Sequence, residues 1–285
     1  MTEELNEVEE PATADGAGHT VGERFARRIQ ITVPDRRSPT LQRLMEIVNT
    51  DDDLYALWVA SNVVAIERLD MTDHGPVHVK IVTNIALKML RLMVEAGIQP
   101  SVVENYGLEV QDAEVVVVLG ALMHDLGMSI QRADHEGYSL FVAQDKLREI
   151  LPQLYDTPTA AIMRSEVLHA IIAHRSGGKP LTLEAGIVRI ADALDMAKGR
   201  SRIPFEKGSE SIHSVSAAAI ESVSIDAGGD RPVCLTVEIT NSAGIFQLDQ
   251  LFREKLKGSG LEDHVELRAV LQGDTEQRLF KEFRI

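Results

Sequence analysis

An apolar segment that ends in an adjacent histidine and aspartate constrains the fold of this chain more than any other stretch. Residues 115–123 are all apolar or glycine, long enough for a buried helix, and His124, Asp125 and Gly127 follow closely. Glycine just past a last helical turn is a common stop signal, so Gly127 is expected to end this helix. An imidazole and a carboxylate at a buried helix end are costly to desolvate without partners. A divalent metal is one such partner, and a capping histidine–aspartate hydrogen bond is the alternative.

Composition indicates a soluble globular protein. The chain has 285 residues, of which 44% are hydrophobic, enough for a substantial core. Its formal net charge of −15 argues against a nucleic-acid partner, although a metal and a few local cations can still attract a small anion. The single cysteine, Cys234, excludes an internal disulfide framework and a cysteine-rich zinc module. No segment approaches the roughly 20 apolar residues of a membrane span, and no signal peptide is visible, so a cytoplasmic location is expected.

Hydrophobic periodicity divides the chain into three parts. Residues 1–22 are acidic and poor in large apolar side chains, which predicts a disordered tail. Residues 23–208 carry apolar stripes at helical spacing, which predict a mainly α domain. In residues 209–285, runs rich in β-branched residues flank a short amphipathic helix, which predicts a small α+β module of order β-β-α-β-β. The module is assigned an accessory or dimerisation role, because its apolar strands offer a self-complementary edge for a homodimer.

Residues that suit a metal recur at the ends, or on the inward faces, of the predicted helices. The candidate ligands are His78, His124, Asp125, His135, His174 and Asp192. Converging helix ends build a polar pocket inside a helical bundle, and imidazole with carboxylate suits Mn, Fe, Ni, Co, Zn or Mg. The alternative interpretation is satisfied core histidines at positions 78 and 174 and a solvated histidine at 135. His169 faces a different side of its helix from His174 and is assigned a supporting or core role.

In their order along the chain, these residues resemble the HD superfamily of metal-dependent phosphohydrolases. The matching segments are His78-Val79-Lys80-Ile81-Val82, His124-Asp125-Leu126-Gly127, His135-Glu136, Ala170-Ile171-Ile172-Ala173-His174 and Arg189-Ile190-Ala191-Asp192-Ala193-Leu194-Asp195. They span residues 71–202 and leave the C-terminal module outside. The resemblance implies an HD-type helical bundle with one or two divalent ions per chain. His135 and His174 match the additional histidines of di-metal members, so a two-metal site is favoured.

The chemistry that the resemblance implies is hydrolysis of a phosphate ester or anhydride in a small, nucleotide-like anion. Two divalent ions about 3.5–4 Å apart position water for in-line attack on phosphorus, and the phosphoryl oxygens also need nearby cations. Asp125 is assigned a catalytic role, and Asp195 either orients a ligand or acts as a general base. The candidate cations are Arg132, Arg175, Lys179, Lys198, Arg200 and Arg202, of which Lys179 and Arg200 are favoured over ordinary surface charge. His74 and Glu136 are candidate supporting groups or proton carriers.

Two other functions fit the same residues. A di-iron oxygenase with the HD fold uses the same six-ligand set, so only the identity of the metal separates it from a hydrolase. A regulatory protein that binds a nucleotide in the pocket and transmits a signal through the C-terminal module is the second alternative. The complete ligand set argues against the regulator, because binding alone does not require an open metal site. The adjacent His-His of the cyclic-dinucleotide branch is missing, since Arg175 follows His174, which argues against cyclic di-GMP as the substrate.

Overall fold

The computed structural model describes residues 20–36, 38–196, 219–242, 244–271 and 282–284. This part of the chain is mainly helical and carries a small sheet near its C-terminal end, as the sequence predicted. Most of the predicted acidic tail, the predicted boundary at residue 208, and Lys198, Arg200 and Arg202 lie outside the described residues. The division of the chain into these three parts therefore stays a prediction.

Among the described residues that precede the sheet, helices occupy most of the segment for which the sequence predicts a mainly α domain. They are α1 (Val21–Ala26), α2 (Pro39–Thr50), α3 (Asp52–Asn62), α4 (Pro76–Glu95), α5 (Ser101–Tyr106), α6 (Val110–Met123), α7 (His135–Ile150), α8 (Thr157–Ala173) and α9 (Leu183–Leu194). Helix α3 continues in π-helical turns over Val63–Arg68, and 3-10 turns follow at Leu126–Ser129 and Leu151–Gln153. Ser38, Asp51, Asp156 and Thr182 cap helices α2, α3, α8 and α9 by accepting a backbone N–H. Among the described helices, none is long and apolar enough to cross a bilayer.

Helix α6 runs through the centre of the bundle. Every residue from Ala113 to Met123 is buried, and α4, α8 and α9 pack around it. Gly120 permits this close packing, because a Cβ atom there would lie 3.1 Å from the Val188 side chain and 3.2 Å from that of Ala170. The apolar run read from the sequence is therefore the core helix, and the polar pair that follows it lies inside the protein.

The prediction that Gly127 ends helix α6 is wrong. The helix ends at Met123, and His124 and Asp125 form the turn that leads into the 3-10 helix. The Ser139 hydroxyl stabilises this turn, because it donates to the His124 carbonyl oxygen at 2.6 Å and accepts from the Gly127 N–H at 2.8 Å. Glycine at position 127 serves packing instead: a Cβ atom there would overlap the carbonyl oxygen of His135 and lie 2.5 Å from the Ser139 nitrogen. Gly127 thus lets the turn that carries Asp125 pack against the start of α7.

The C-terminal module contains a four-stranded sheet of order β1-β2-β3-β4. Its strands are β1 (Ile220–Ala227), β2 (Val233–Ile239), β3 (Val265–Leu271) and β4 (Glu282–Arg284). Strands β1 and β2 are antiparallel, as are β3 and β4, whereas β2 and β3 are parallel. Parallel neighbours require a crossover, which the chain makes through Gly244–Phe246, the π-helical turns Gln247–Phe252, and Arg253–Leu256. We call these three helical pieces the crossover helix, and they complete the predicted order β-β-α-β-β.

The crossover helix joins the sheet to the helical bundle. It contacts α9, and Leu248, Phe252 and Leu256 belong to one continuous hydrophobic core with the bundle. The chain after the crossover helix also approaches α9 closely at Gly186, where a Cβ atom would lie 2.5 Å from the Ser259 carbonyl oxygen. The module is therefore packed onto the bundle along the helix that carries Asp192. Strand β1 forms one edge of the sheet, and the homodimer expected through such an edge stays a prediction.

Candidate metal centre

All six predicted ligands meet at one buried cluster. His78 lies in the first turn of α4, His124 and Asp125 follow α6, His135 begins α7, His174 follows α8, and Asp192 lies in the last turn of α9. The four histidines and Asp125 are at most 5% exposed, whereas the Asp192 side chain is 22% exposed. All of the six except His124 line a cavity of about 410 Å³, so these ligands are shielded but reachable.

Four of these side chains form a first group. The Nε2 atoms of His78 and His124 are 3.1 Å apart. Asp125 Oδ2 lies 3.4 Å and 3.5 Å from these two nitrogens, and Asp192 Oδ1 lies 3.7 Å and 3.6 Å from them. Two atoms that bind one ion at about 2.1 Å lie about 3.0–3.4 Å apart, so the spacing of this group suits a divalent ion.

The other carboxylate oxygen of Asp125 faces a second group. Asp125 Oδ1 lies 3.1 Å from His135 Nε2 and 3.8 Å from His174 Nε2. One ligand atom from each of these three residues lies within 4.8 Å of the others. Asp125 therefore directs one oxygen at each group, which is how a carboxylate bridges two ions.

The four histidines are held with Nε2 directed at the cluster. His78 Nδ1 lies 2.7 Å from Asp195 Oδ2. The Nδ1 atoms of His124, His174 and His135 lie 2.8, 2.5 and 3.1 Å from the carbonyl oxygens of Ala121, Ile171 and Arg132. Because a carbonyl oxygen only accepts, the Nδ1 atoms of His124 and His174 carry the hydrogen and leave the Nε2 lone pairs for a metal. His135 Nδ1 faces both the carbonyl oxygen and the guanidinium of Arg132, an acceptor and a donor. The donor set therefore fits a divalent ion, and the contact of Asp195 corresponds to the orienting role rather than to the general base.

Burial and neighbouring charge act in opposite directions on the two carboxylates. Burial alone would raise the pKa of Asp125, but the charges of His124 and His74 and the hydrogen bond from His135 hold it well below its usual range. Burial would likewise raise the pKa of Asp192. The charge of Lys255 and the hydrogen bond between Asp192 and His124 instead hold that pKa well below its usual range. Both carboxylates are therefore ionised at neutral pH, as metal ligands must be.

The histidines of the second group differ in proton affinity. Burial, together with the charge of His124, lowers the pKa of His174 to about 3, so this ring is neutral near pH 7. Burial would also lower the pKa of His135, but its hydrogen bond and attraction to Asp125 raise it above its usual value. Only a deprotonated ring binds a metal, so protons compete with the metal at His135 over a higher pH range than at His174.

Metal binding is expected to weaken as the pH falls through the raised pKa of His135. Only the deprotonated ring binds a metal, so affinity is complete above that pKa and drops about tenfold per pH unit below it. Isothermal titration with Mn²⁺ from about pH 5.5 to about pH 8.5 measures this slope. In a His135→Gln variant, the second group should lose its affinity for Mn²⁺, and the dependence of Mn²⁺ binding on pH should disappear with it. The same slope in both proteins would contradict the assignment.

Replacement of Gly127 by alanine is expected to push α7 and His135 away from Asp125. The new methyl group has no room beside the His135 carbonyl, so unfolding free energy should fall by about 1–3 kcal/mol. Denaturant unfolding and metal titration measure both effects. Gly137→Ala is the matched control, because a Cβ atom there meets nothing within 4 Å, and it should stabilise α7 by about 0.5–1 kcal/mol. Equal decreases in unfolding free energy and in metal affinity in the two variants would show that a methyl group at position 127 disturbs the packing no more than one at position 137.

The predicted supporting residues occupy the positions expected of them. His74 and Glu136 both line the cavity. His74 Nδ1 lies 2.6 Å from Asp125 Oδ2, and Glu136 Oε2 lies 3.3 Å from His135 Nδ1. His169, which the sequence left out of the ligand set, accepts the Leu181 N–H at 2.9 Å through its Nε2 and is absent from the described cavity wall.

The predicted cations are placed differently from one another. Arg132 lines the cavity, and its guanidinium lies 2.8 Å from His135 Nδ1. Arg175 and Lys179 are exposed in the loop after α8 and are not among the described residues of the cavity wall. The structure therefore does not bring Lys179 to the cluster, and Arg200 lies outside the described residues. The catalytic roles of Lys179 and Arg200 stay predictions.

Two residues of the crossover helix, Glu254 and Lys255, also line the cavity, although the sequence did not single them out. Lys255 Nζ donates to the His174 carbonyl oxygen at 2.7 Å and lies 3.4 Å from Asp192 Oδ2. Lys255 follows Asp192 by 63 residues and belongs to no motif, so no local signal in the sequence could have found it. It reaches the cavity only because the crossover helix packs against α9.

Two comparisons relate this chain to known proteins. A family model described as "HD domain" matches residues 77–197, a stretch that contains all six predicted ligands. The chain is also 43% identical over 225 residues to the uncharacterized protein MJ1020 of Methanocaldococcus jannaschii, an alignment that covers 79% of this chain and 86% of that protein. Because this alignment is longer than the stretch matched by the family model, the similarity extends beyond the ligand-bearing helices.

Proposed function

Because this chain belongs to the HD domain superfamily, whose members are in general metal-dependent phosphohydrolases, we propose that it hydrolyses a phosphate ester or anhydride of a small, nucleotide-like molecule. The observation that supports this proposal most strongly is the placement of Asp125, whose two oxygens face two separate groups of ligands. His78, His124, Asp125 and Asp192 would hold one divalent ion, and Asp125, His135 and His174 a second. A bridging carboxylate is typical of two-metal hydrolytic sites.

When bound, the divalent ions would supply Lewis acidity and an activated water molecule. The remaining tasks fall to the side chains of the chain. Asp195 keeps His78 in the tautomer that presents Nε2, and Arg132 adds positive charge beside the second group, where phosphoryl oxygens need it. His74 Nδ1 contacts Asp125 from the cavity wall, a position from which it can exchange a proton with that carboxylate. Burial of the cluster lowers the local dielectric and strengthens each of these electrostatic interactions.

The test is hydrolysis by protein that is prepared anaerobically and reconstituted with Mn, Fe, Ni, Co, Zn or Mg. Release of p-nitrophenol reports on p-nitrophenyl phosphate and bis-p-nitrophenyl phosphate, and separation of the nucleotide products together with phosphate release reports on nucleoside phosphates and dinucleoside polyphosphates. We expect about two ions per chain and metal-dependent hydrolysis, both lost in the double variant His124→Ala/Asp125→Ala. His169→Gln is the matched control, since it alters a histidine outside the described cluster.

Two outcomes would contradict the phosphohydrolase. If none of the substrates is hydrolysed with any of these metals, the phosphohydrolase is refuted. If iron binds at the cluster and turnover consumes dioxygen, the HD-fold oxygenase replaces it. Metal analysis of the wild-type protein and the double variant separates these outcomes, because an ion that is held by the cluster must disappear with His124 and Asp125.

A further inference from the structure

We propose that Lys255 is a substrate-binding cation, which contacts a phosphoryl oxygen in the cavity and so makes the C-terminal module part of the active site. The inference rests on the proposed phosphohydrolase function, because it assigns a residue to the same cavity. It also replaces the accessory role that the sequence suggested for the module, since the module would then help to bind substrate.

The Lys255 ammonium group reaches the cavity beside the first ligand group. Its Nζ donates to the His174 carbonyl oxygen at 2.7 Å and lies 3.4 Å from Asp192 Oδ2. An ammonium group has three hydrogens, so its two acceptors among the described residues leave one hydrogen for an oxygen atom in the cavity. The side chain is 24% exposed, and a cation that has lost most of its water attracts a phosphate more strongly than a solvated one.

The charges of the cavity wall create the need for such a cation. Five carboxylates line the described wall: Asp125, Glu136, Asp192, Asp195 and Glu254. The described cations there are Arg132, Arg189 and Lys255. A phosphate that approaches this wall meets repulsion from every carboxylate that a metal does not neutralise. Local cations must therefore offset this repulsion. Arg132 and Lys255 lie beside different ligand groups.

Arg189 is the third wall cation, but its hydrogen bonds are used to hold the backbone. It is only 2% exposed, and its Nε donates to the Lys255 carbonyl oxygen at 2.8 Å. Its Nη1 faces the carbonyl oxygens of Ala173, Arg175 and Gly178 at 3.2, 2.9 and 2.8 Å. One buried side chain on α9 thus fixes both the loop after His174 and the backbone of Lys255. The ammonium group is positioned before substrate arrives, so little entropy is lost when it binds.

The experiment measures the affinity of metal-loaded, full-length protein for inorganic phosphate by isothermal titration. Lys255→Met removes the charge but keeps most of the aliphatic stem. We expect this variant to keep the wild-type metal content and to bind phosphate about tenfold more weakly or worse, while Lys255→Arg stays within a few-fold of wild type. Lys257→Met is the matched control, because Lys257 is exposed just after the crossover helix, and its phosphate affinity should equal that of wild type.

Kinetics on a phosphate ester that the wild type hydrolyses give a second readout. Lys255→Met should raise KM more than it lowers kcat, since the lysine contacts substrate throughout the reaction. Lys255→Gln serves if the methionine variant does not fold, because its amide can still donate to the His174 carbonyl while the charge is lost. Thermal unfolding of both variants verifies that they are folded.

Three results would overturn the inference. They are unchanged phosphate affinity in Lys255→Met, absence of phosphate binding by wild type, and a loss of affinity that disappears once excess metal restores full occupancy. The last result would make Lys255 a positioning residue for Asp192 and His174. By contrast, wild type that binds phosphate through Lys255 but hydrolyses neither phosphate esters nor anhydrides refutes the phosphohydrolase and leaves only the contact of Lys255 with phosphate standing. Hydrolysis with an unchanged KM in Lys255→Met refutes the inference alone.

Discussion

Replacement of Asp125 by asparagine is expected to reduce kcat/KM for phosphate ester hydrolysis on the order of 10³-fold or more. The carboxylate directs Oδ2 at His78 and His124 and Oδ1 at His135, so it is the one predicted ligand that faces both groups. An amide keeps the shape but has one oxygen and no charge, and therefore serves at most one group. Elemental analysis of the variant should show loss of one ion per chain or of both.

Asp145→Asn is the matched control for this prediction. Asp145 is an exposed carboxylate on α7, so its neutral variant should keep the metal content and the kcat/KM of wild type. Circular dichroism of both variants establishes that their helices are formed. Retention of metal and of activity within a few-fold in Asp125→Asn would show that the carboxylate neither bridges nor takes part in hydrolysis.

Replacement of Asp195 by alanine is expected to weaken metal binding about 10–100-fold. Asp195 Oδ2 lies 2.7 Å from His78 Nδ1 and holds the ring with Nε2 directed at His124 and Asp192. Without this acceptor the ring can rotate or carry its hydrogen on Nε2, and either change removes the lone pair from the first group. Asp195→Asn keeps an acceptor oxygen and should fall between wild type and the alanine variant. Metal titration monitored by calorimetry measures the three affinities.

The same variants distinguish the two roles predicted for Asp195. If the residue only orients His78, saturation with metal should restore kcat in Asp195→Ala. If it is the general base, kcat should stay low at full metal occupancy, and the acidic limb of the pH–rate profile should disappear. The contact with His78 leads us to expect recovery of kcat.

The structure brings the six predicted ligands together, and each of them lies near a local helix signal in the sequence. Pro76 begins the helix of His78, and the apolar run of α6 leads directly to His124 and Asp125. Such signals depend on residues within a few positions of one another, so the helix ends can be read without the tertiary structure. The convergence of those ends followed from the resemblance to the HD superfamily rather than from the spacing itself.

What the sequence could not predict depends on distant contacts. Gly127 carries the same local signal as a glycine that stops a helix, but the constraint on it comes from the backbone of His135 in another helix. Lys255 reaches the cavity through the parallel pairing of β2 with β3, whose crossover helix packs on α9. The exposed position of Lys179 likewise results from the path of a loop, which proximity to His174 along the chain does not determine.

The distance along the chain between Asp192 and Lys255 sets an order for assembly during synthesis on the ribosome. All six predicted ligands have been translated by residue 192, whereas Lys255 follows 63 residues later. Parallel strand pairing is slow because it joins distant segments, so the crossover helix should dock after the nascent helices have packed. We therefore expect a nascent chain to acquire its metal while the cavity is still open on the side of α9. Completion of the sheet would then close that side and add the lysine.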